Sequence, residues 1–192
     1  MSNIFFTADN HISHANIIRH CNRPWKSVEE HDEALINNWN SVVSRRDIVY
    51  LLGDFAMIPK QDDGTPRMKL YRKLRMRLNG KIFLIIGNHD VMSNEVYDCF
   101  TEVSPLKEIK INGEKITLCH YPMRSWNGSF HGRKHVFGHV HGRLEQVDTG
   151  VSCDVGIDVP EWNYRPVEWT VLQNKLNMKA RRYSRVHVNQ EY

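Results

Sequence analysis

At 192 residues, with 41% hydrophobic and 25% charged residues, the chain fits a single globular domain of ordinary composition, far from the disordered and membrane-spanning classes. A balance of 26 basic against 22 acidic side chains, net +4, is too mild to predict nucleic-acid binding by itself. The four cysteines, Cys21, Cys99, Cys119 and Cys153, stand apart without a Cys-x-x-Cys pair, which disfavours a disulfide framework or a cysteine zinc site and points to a reducing, cytoplasmic setting.

Residues 1–6 show no basic segment or cleavage signature, so no signal peptide is expected. No apolar run approaches the roughly 20 residues needed to span a bilayer, so no membrane partner is expected. Short runs rich in Ile, Phe, Val and Leu at residues 3–8, 47–52, 81–86 and 134–138 predict core strands. His14 to Cys21 has room for one or two helical turns. Ser27-Val28-Glu29-Glu30 matches a capping box, and Leu35, Ile36, Trp39, Val42 and Val43 recur at helical spacing, predicting a helix over about 28–43. A second helix is expected from Thr65-Pro66, with Met68, Tyr71, Leu74 and Leu78 as its apolar stripe, ending near Asn79-Gly80. Arg67, Lys69, Arg72, Lys73, Arg75 and Arg77 read as its solvated face.

A short helix is expected to start at Ser93. Beyond residue 100 the pattern changes, because residues 106–111 and 115–119 flank Asn112-Gly113, a tight-hairpin dipeptide. A further strand is expected at 151–157, residues 166–176 read equally as helix or strand, and a basic surface tail is expected from about 178. The shift from alternating strand and helix to hairpins predicts an α/β fold with two sheets in one domain, residues 1–192.

Metal-ligand residue types lie where several of these strands end. Asp9 and His11, two apart, can be aimed at one ion by a bend. Asp54 follows Val49-Tyr50-Leu51-Leu52-Gly53, where an unpaired carboxylate is costly unless an ion or donor compensates it. Its two oxygens also allow one side chain to bridge two cations roughly 3.5 to 4 Å apart. In Gly87-Asn88-His89-Asp90 the glycine permits a tight turn, Asn88 offers a neutral oxygen to a second ion, and His89 points elsewhere, toward substrate. His120 ends one apolar run. His139 and His141 follow another with one residue between them, so small bends deliver one to each ion.

Taken together, Asp9-x-His11, Gly53-Asp54, Gly87-Asn88-His89-Asp90, Cys119-His120-Tyr121-Pro122 and Gly138-His139-x-His141 resemble the calcineurin-like metallophosphoesterase superfamily, in its small single-domain bacterial or phage type. The resemblance covers residue 4 to about 142, and residues 151–159 are similar to the family's closing strands. It implies a four-layer αββα sandwich of two mixed β-sheets flanked by helices. It further implies that Asp9, His11 and His141 bind one ion, Asn88, His120 and His139 a second, and Asp54 both, with His89 as the catalytic histidine. Many relatives carry Asp or Asn three residues after the bridging aspartate, where this chain has Met57. That departure bears on secondary support of the site rather than on its ligands.

Such a site, at about +1 with two ions and a bridging hydroxide, attracts phosphate and presents the hydroxide for in-line attack on a phosphomonoester or phosphodiester. His89 can donate to the leaving oxygen. Asp90 reads equally as a carboxylate that orients the His89 ring and as a helix N-terminal acid. His14 is a candidate for substrate phosphate, with a supporting or surface role as the alternative. Sequence proximity does not choose among Arg124, Arg133 and Arg143, each of which reads first as an exposed arginine; Arg124 is carried as the substrate candidate. Oxygen and imidazole donors suit manganese first, with iron, nickel, cobalt or zinc as alternatives. The expected partner is a small phosphoester such as a nucleotide. A nuclease and a non-catalytic scaffold retaining the fold are the competing readings.

Overall fold

The computed structural model describes residues 2–58, 66–91, 93–144 and 150–188, with side chains described as far as residue 181. The chain forms β1 (Ile4–Thr7), α1 (Ala15–His20), α2 (Val28–Val42), β2 (Ile48–Leu51), α3 (Arg67–Met76), β3 (Lys81–Ile85) and α4 (Asn94–Tyr97). It continues through β4 (Glu102–Ser104), β5 (Leu106–Ile111), β6 (Glu114–Cys119), β7 (Lys134–Phe137), β8 (Ser152–Asp154), β9 (Val167–Glu168) and α5 (Trp169–Val188).

Two mixed sheets result, in the orders β4-β3-β2-β1-β9 and β5-β6-β7-β8. In the first, β1 to β4 run parallel and β9 is antiparallel to β1. In the second, β5 and β6 form the expected hairpin while β6, β7 and β8 run parallel. The architecture is the α/β sandwich of two mixed sheets flanked by helices.

Strand alternation divides the apolar residues between two cores. Phe5, Val49, Leu51, Ile82 and Leu84 pack against Leu35, Ile36 and Trp39 of α2 and Tyr71 and Leu74 of α3. Their alternates Phe6, Leu52 and Ile85 face Ile116, Leu118, Val136 and Cys153 of the second sheet, as a period of two requires. Trp169, Leu172 and Leu176 of α5 join this inter-sheet core. Their spacing of three and four resolves the segment over 166–176: a two-residue strand followed at once by a helix. Helical backbone continues through the expected basic tail to Val188.

Ser27 caps α2 by accepting the Glu30 N–H at 3.2 Å, and Ser93 caps α4. Helix α3 begins one residue later than expected, with Pro66 at its N-cap; Thr65 lies outside the described residues. It also ends short of Asn79, because the Arg75 guanidinium donates to the carbonyls of Leu78 and Gly80 and turns the chain. Strand β4, three residues long and partly exposed, carries too short a pattern to be read from sequence.

Candidate metal centre

Strands β1, β2 and β3 are parallel, as are β6 and β7, so both sheets present carboxyl ends on one rim. Asp9 and His11 follow β1, Asp54 follows β2, Asn88 and His89 follow β3, His120 follows β6, and His139 and His141 follow β7. The loops are fastened to one another by backbone bonds: Asp9 N–H donates to Gly53 O, His11 N–H to Asp54 O, and Gly138 N–H to His120 O, at 3.1, 2.9 and 2.9 Å.

Five of these seven predicted ligands, Asp9, His11, Asp54, His139 and His141, adopt φ between 49° and 72°. A left-handed conformation is unfavourable for residues with a Cβ and persists only where the surroundings over-determine it. Here it turns consecutive polar side chains back over the strand ends. Glycine is needed where the loops meet: a Cβ on Gly138 would lie 2.4 Å from the Ala8 Cβ, and one on Gly53 would lie 2.4 Å from Nδ1 of His120.

Several of these side chains come together on the rim. Oδ2 of Asp54 lies 3.3 Å from Nε2 of His11 and 3.6 Å from Nε2 of His120. Oδ1 of Asn88 faces Nε2 of His120 at 2.9 Å and Nδ1 of His139 at 3.0 Å. Asp9, His11 and His141 form one group with atoms in metal-ligand reach, and Asp9, Asp54 and His120 form another. Both ring nitrogens of His11 are buried without a hydrogen-bond partner. Burial pushes its pKa down to about 2, helped by the neighbouring His141 and Arg23, so the imidazole offers a free lone pair. Burial drives the Asp9 carboxyl well above its usual range, and Asp154 and Asp54 add to the effect against His141. A buried neutral imidazole, crowded carboxylates and an amide oxygen aimed at two imidazoles are a donor set that fits divalent cations.

His89 is exposed. Its backbone N–H donates to Oδ1 of Asp54 at 2.9 Å, while its ring stands 5.2 Å from the His11 ring and 6.3 Å from that of His14. His14 therefore joins the rim. Arg124 is exposed in the loop after β6 and makes none of the described contacts with these residues. Among the described residues no hydrogen bond joins Asp90 to the His89 ring. The Asp90 carboxylate accepts the backbone N–H groups of Asp54, Phe55 and Gly87 at 2.9, 2.9 and 2.8 Å, which fixes the turn carrying Asp54. At the departing position 57, the Met57 N–H donates to Ile12 O at 2.8 Å, continuing the pairing of the two loops.

Three residues not singled out from sequence support the centre. Asp158 accepts from Nδ1 of His141 at 2.6 Å, and Arg23 forks onto both Asp158 oxygens. His31, read as an ordinary residue, accepts from Arg23 at 2.7 Å. Although burial opposes it, the bond to Asp158 holds the His141 imidazole up at about 10, while the same partner and Arg23 hold Asp158 down at about 2 against its own burial.

No family model matches the chain. It is 36% identical to the uncharacterized protein MJ1445 of Methanocaldococcus jannaschii over 170 residues, 87% of each protein. It is 38% identical to the gene 66 protein of Mycobacterium phage D29 over 92 residues, 47% of this chain and 41% of that protein. Among solved structures, the protein of unknown function AQ665 from Aquifex aeolicus shares the fold with a TM-score of 0.68 at 22% identity, covering 91% of this chain and 99% of that one.

Proposed function

We propose that the chain, whose ordered motifs resemble those of the calcineurin-like metallophosphoesterase superfamily, is a metal-dependent phosphoesterase that hydrolyses a phosphomonoester or phosphodiester at the shared strand-end rim. The observation that carries this reading is the position of Asp54, one of whose oxygens stands between the imidazoles of His11 and His120. Asp9, His11 and His141 would hold one divalent ion, Asn88, His120 and His139 a second, and Asp54 both. When bound, such ions stabilise charge on phosphoryl oxygens and make a water acidic enough to attack at neutral pH.

The chain's own residues prepare that chemistry. Nδ1–H of His120 donates to the carbonyl of Leu52 at 2.8 Å, leaving the Nε2 lone pair directed at the centre. Nδ1 of His141 is bonded to Asp158, which orients the ring so that Nε2 would take an ion in exchange for a proton. His89 is not needed as a ligand and is exposed beside the centre, where it can give a proton to the leaving oxygen. His14, next to it, can reach a phosphoryl oxygen. Manganese is the first candidate among the metals that this oxygen and imidazole set accepts.

A small phosphoester, such as a nucleotide, is favoured over nucleic acid. Two of the basic side chains around α3 are engaged within the protein, Arg77 with Glu33 at 2.6 Å and Arg75 with two carbonyls, which leaves fewer of them to grip a nucleic-acid backbone. Among the described residues no helix is long and apolar enough to cross a membrane, and the four free cysteines suit a cytoplasmic setting. The test is a panel of an aryl phosphomonoester, an aryl phosphodiester, cyclic nucleotides and single-stranded nucleic acid, assayed with the Mn²⁺-loaded protein. Turnover of at least one small ester is expected; two bound ions with no turnover of any member would sink the enzyme reading.

A further inference from the structure

The Arg23 guanidinium has five N–H donors, and each has a named acceptor. Nε donates to Oδ1 of Asp158 at 2.8 Å, and one terminal nitrogen donates to Oδ2 of Asp158 at 2.7 Å and to the carbonyl of Asp9 at 2.8 Å. The other donates to the carbonyl of Asn10 at 2.9 Å and to Nε2 of His31 at 2.7 Å. The pair is buried, with side-chain exposures of 0% for Arg23 and 4% for Asp158. Taking both charges out of water costs several kcal/mol per ion before their attraction is counted. A buried ion pair is thus a poor device for stability, but a good one for fixing where its partners stand.

What it fixes is the loop carrying Asp9 and His11. Asp9, His11 and Ser13 all have positive φ, at 59°, 49° and 63°, so the loop needs external restraint. Arg23 holds the first two carbonyls of that loop. The chain of bonds continues, since His31, accepting at Nε2, donates from Nδ1 to Asp32 at 2.8 Å, and Asp32 accepts the Ser13 N–H at 2.9 Å. On its other side the pair reaches His141 through Asp158. Its bonds therefore go to the backbone of Asp9 and Asn10, on either side of which Asp9 and His11 stand, and to His141, and none goes to Asn88, His120 or His139.

We propose that Arg23 and Asp158 are positioning residues for one of the two ions: together they set the Asp9 to Ser13 loop and the tautomer and direction of His141. The inference rests on the proposed dinuclear site. Cys21, His141 and Asp158 also lie within metal-ligand reach of one another, but a cation there would face the guanidinium already paired with Asp158.

Titration of the full-length protein with Mn²⁺ alone, followed by calorimetry and by electron paramagnetic resonance, tests the proposal. Wild type is expected to bind two ions and give a spin-coupled signal. Asp158→Asn, nearly isosteric, should keep one ion at wild-type affinity and bind the other about 10- to 100-fold more weakly, with an uncoupled signal at one equivalent. Arg23→Lys keeps the buried positive charge but loses the fork, and should weaken the same ion. It provides an independent arm should the Asn variant fold poorly. The double variant should be no weaker than the more affected single variant, because the two act as one unit. Unchanged affinity for both ions in either folded variant, or equal weakening of both, overturns the proposal while leaving the metal centre standing. A wild-type protein that binds no Mn²⁺ overturns both.

Discussion

A Cβ added to Gly87 would lie 2.3 Å from Oδ1 of Asp54 and 2.6 Å from its amide nitrogen, so the turn after β3 can meet the turn after β2 only through a bare backbone. The contact brings the residue next to Asn88 against the carboxylate that faces His11 and His120. Gly87→Ala is expected to displace Asp54 and lower both metal stoichiometry and turnover. The steric strain should cost about 1 to 3 kcal/mol. Metal content after dialysis and the melting temperature of the metal-free protein read the two effects; an Ala variant with full metal content would show that the turn relaxes without moving the carboxylate.

His89 shares that turn but has a separable role. Its exposed ring is left free while its backbone braces Asp54, so removing the ring leaves the brace in place. His89→Ala should retain two Mn²⁺ and the wild-type melting temperature yet lose about 10²- to 10⁴-fold in turnover, the usual range for a general acid or base. Loss of an ion instead would reassign His89 as a ligand.

For its neighbour Asp90 the expectation is reversed. Three backbone N–H groups depend on its carboxylate, and each buried donor left without a partner costs about 1 to 3 kcal/mol. Asp90→Ala should therefore lower thermal stability by several degrees even without metal, and reduce turnover through displacement of Asp54. An Asp90→Ala protein that melts like wild type and loses only turnover would restore Asp90 to a direct part in catalysis.

The contrast between His89 and Asp90 shows what was legible in the sequence. Each ligand island is a local pattern, an apolar run ending in a donor, and the run predicts the strand that carries it. The orders of the two sheets were not written in any one segment, whereas the succession of donor types along the chain was. Support residues are different. Asp90 acts on backbone amides, which have no sequence signature, and Arg23 meets Asp158 across 135 positions. His31 looked ordinary because its partner lies in the loop after α1. Left-handed φ at Asp9, His11, Asp54, His139 and His141 was equally hidden, since Asp and His do not advertise that conformation as glycine does.

At the opposite end of the first sheet, Asp47 gives a pH dependence independent of the rim. It is buried just before β2 and accepts the N–H groups of Asn3 at 2.8 Å and Ser44 at 2.7 Å. Burial acts to raise its pKa, but these hydrogen bonds prevail and hold it below the usual carboxylate range. With the folded pKa below the unfolded value of about 3.9, the stabilisation is present above that value and is lost as pH falls through the folded pKa. The stability gap between wild type and Asp47→Asn should be full at neutral pH and shrink on acidification below about pH 4. Denaturant unfolding at stepped pH measures it; a gap that stays constant into acid would mean that Asp47 contributes by shape and not by charge.

Metal and stability should be coupled through the rim carboxylates. Asp9 and Asp54 are both buried, and among the described residues no lysine pairs with them, with Arg23 committed to Asp158 and to main-chain carbonyls. An ion that binds the folded chain and not the unfolded one stabilises by about 2.7 kcal/mol at a hundredfold excess over its dissociation constant. For a domain of this size that corresponds to a rise in melting temperature of roughly 5 to 10 °C. Adding Mn²⁺ to the metal-free protein should produce a rise of this order, growing with the logarithm of concentration, and a chelator should reverse it. Asp54→Asn should blunt the response more than His14→Ala, because Asp54 faces both His11 and His120 whereas His14 only borders the rim. A melting temperature indifferent to Mn²⁺ and chelator alike would mean that the converging side chains are satisfied without a cation.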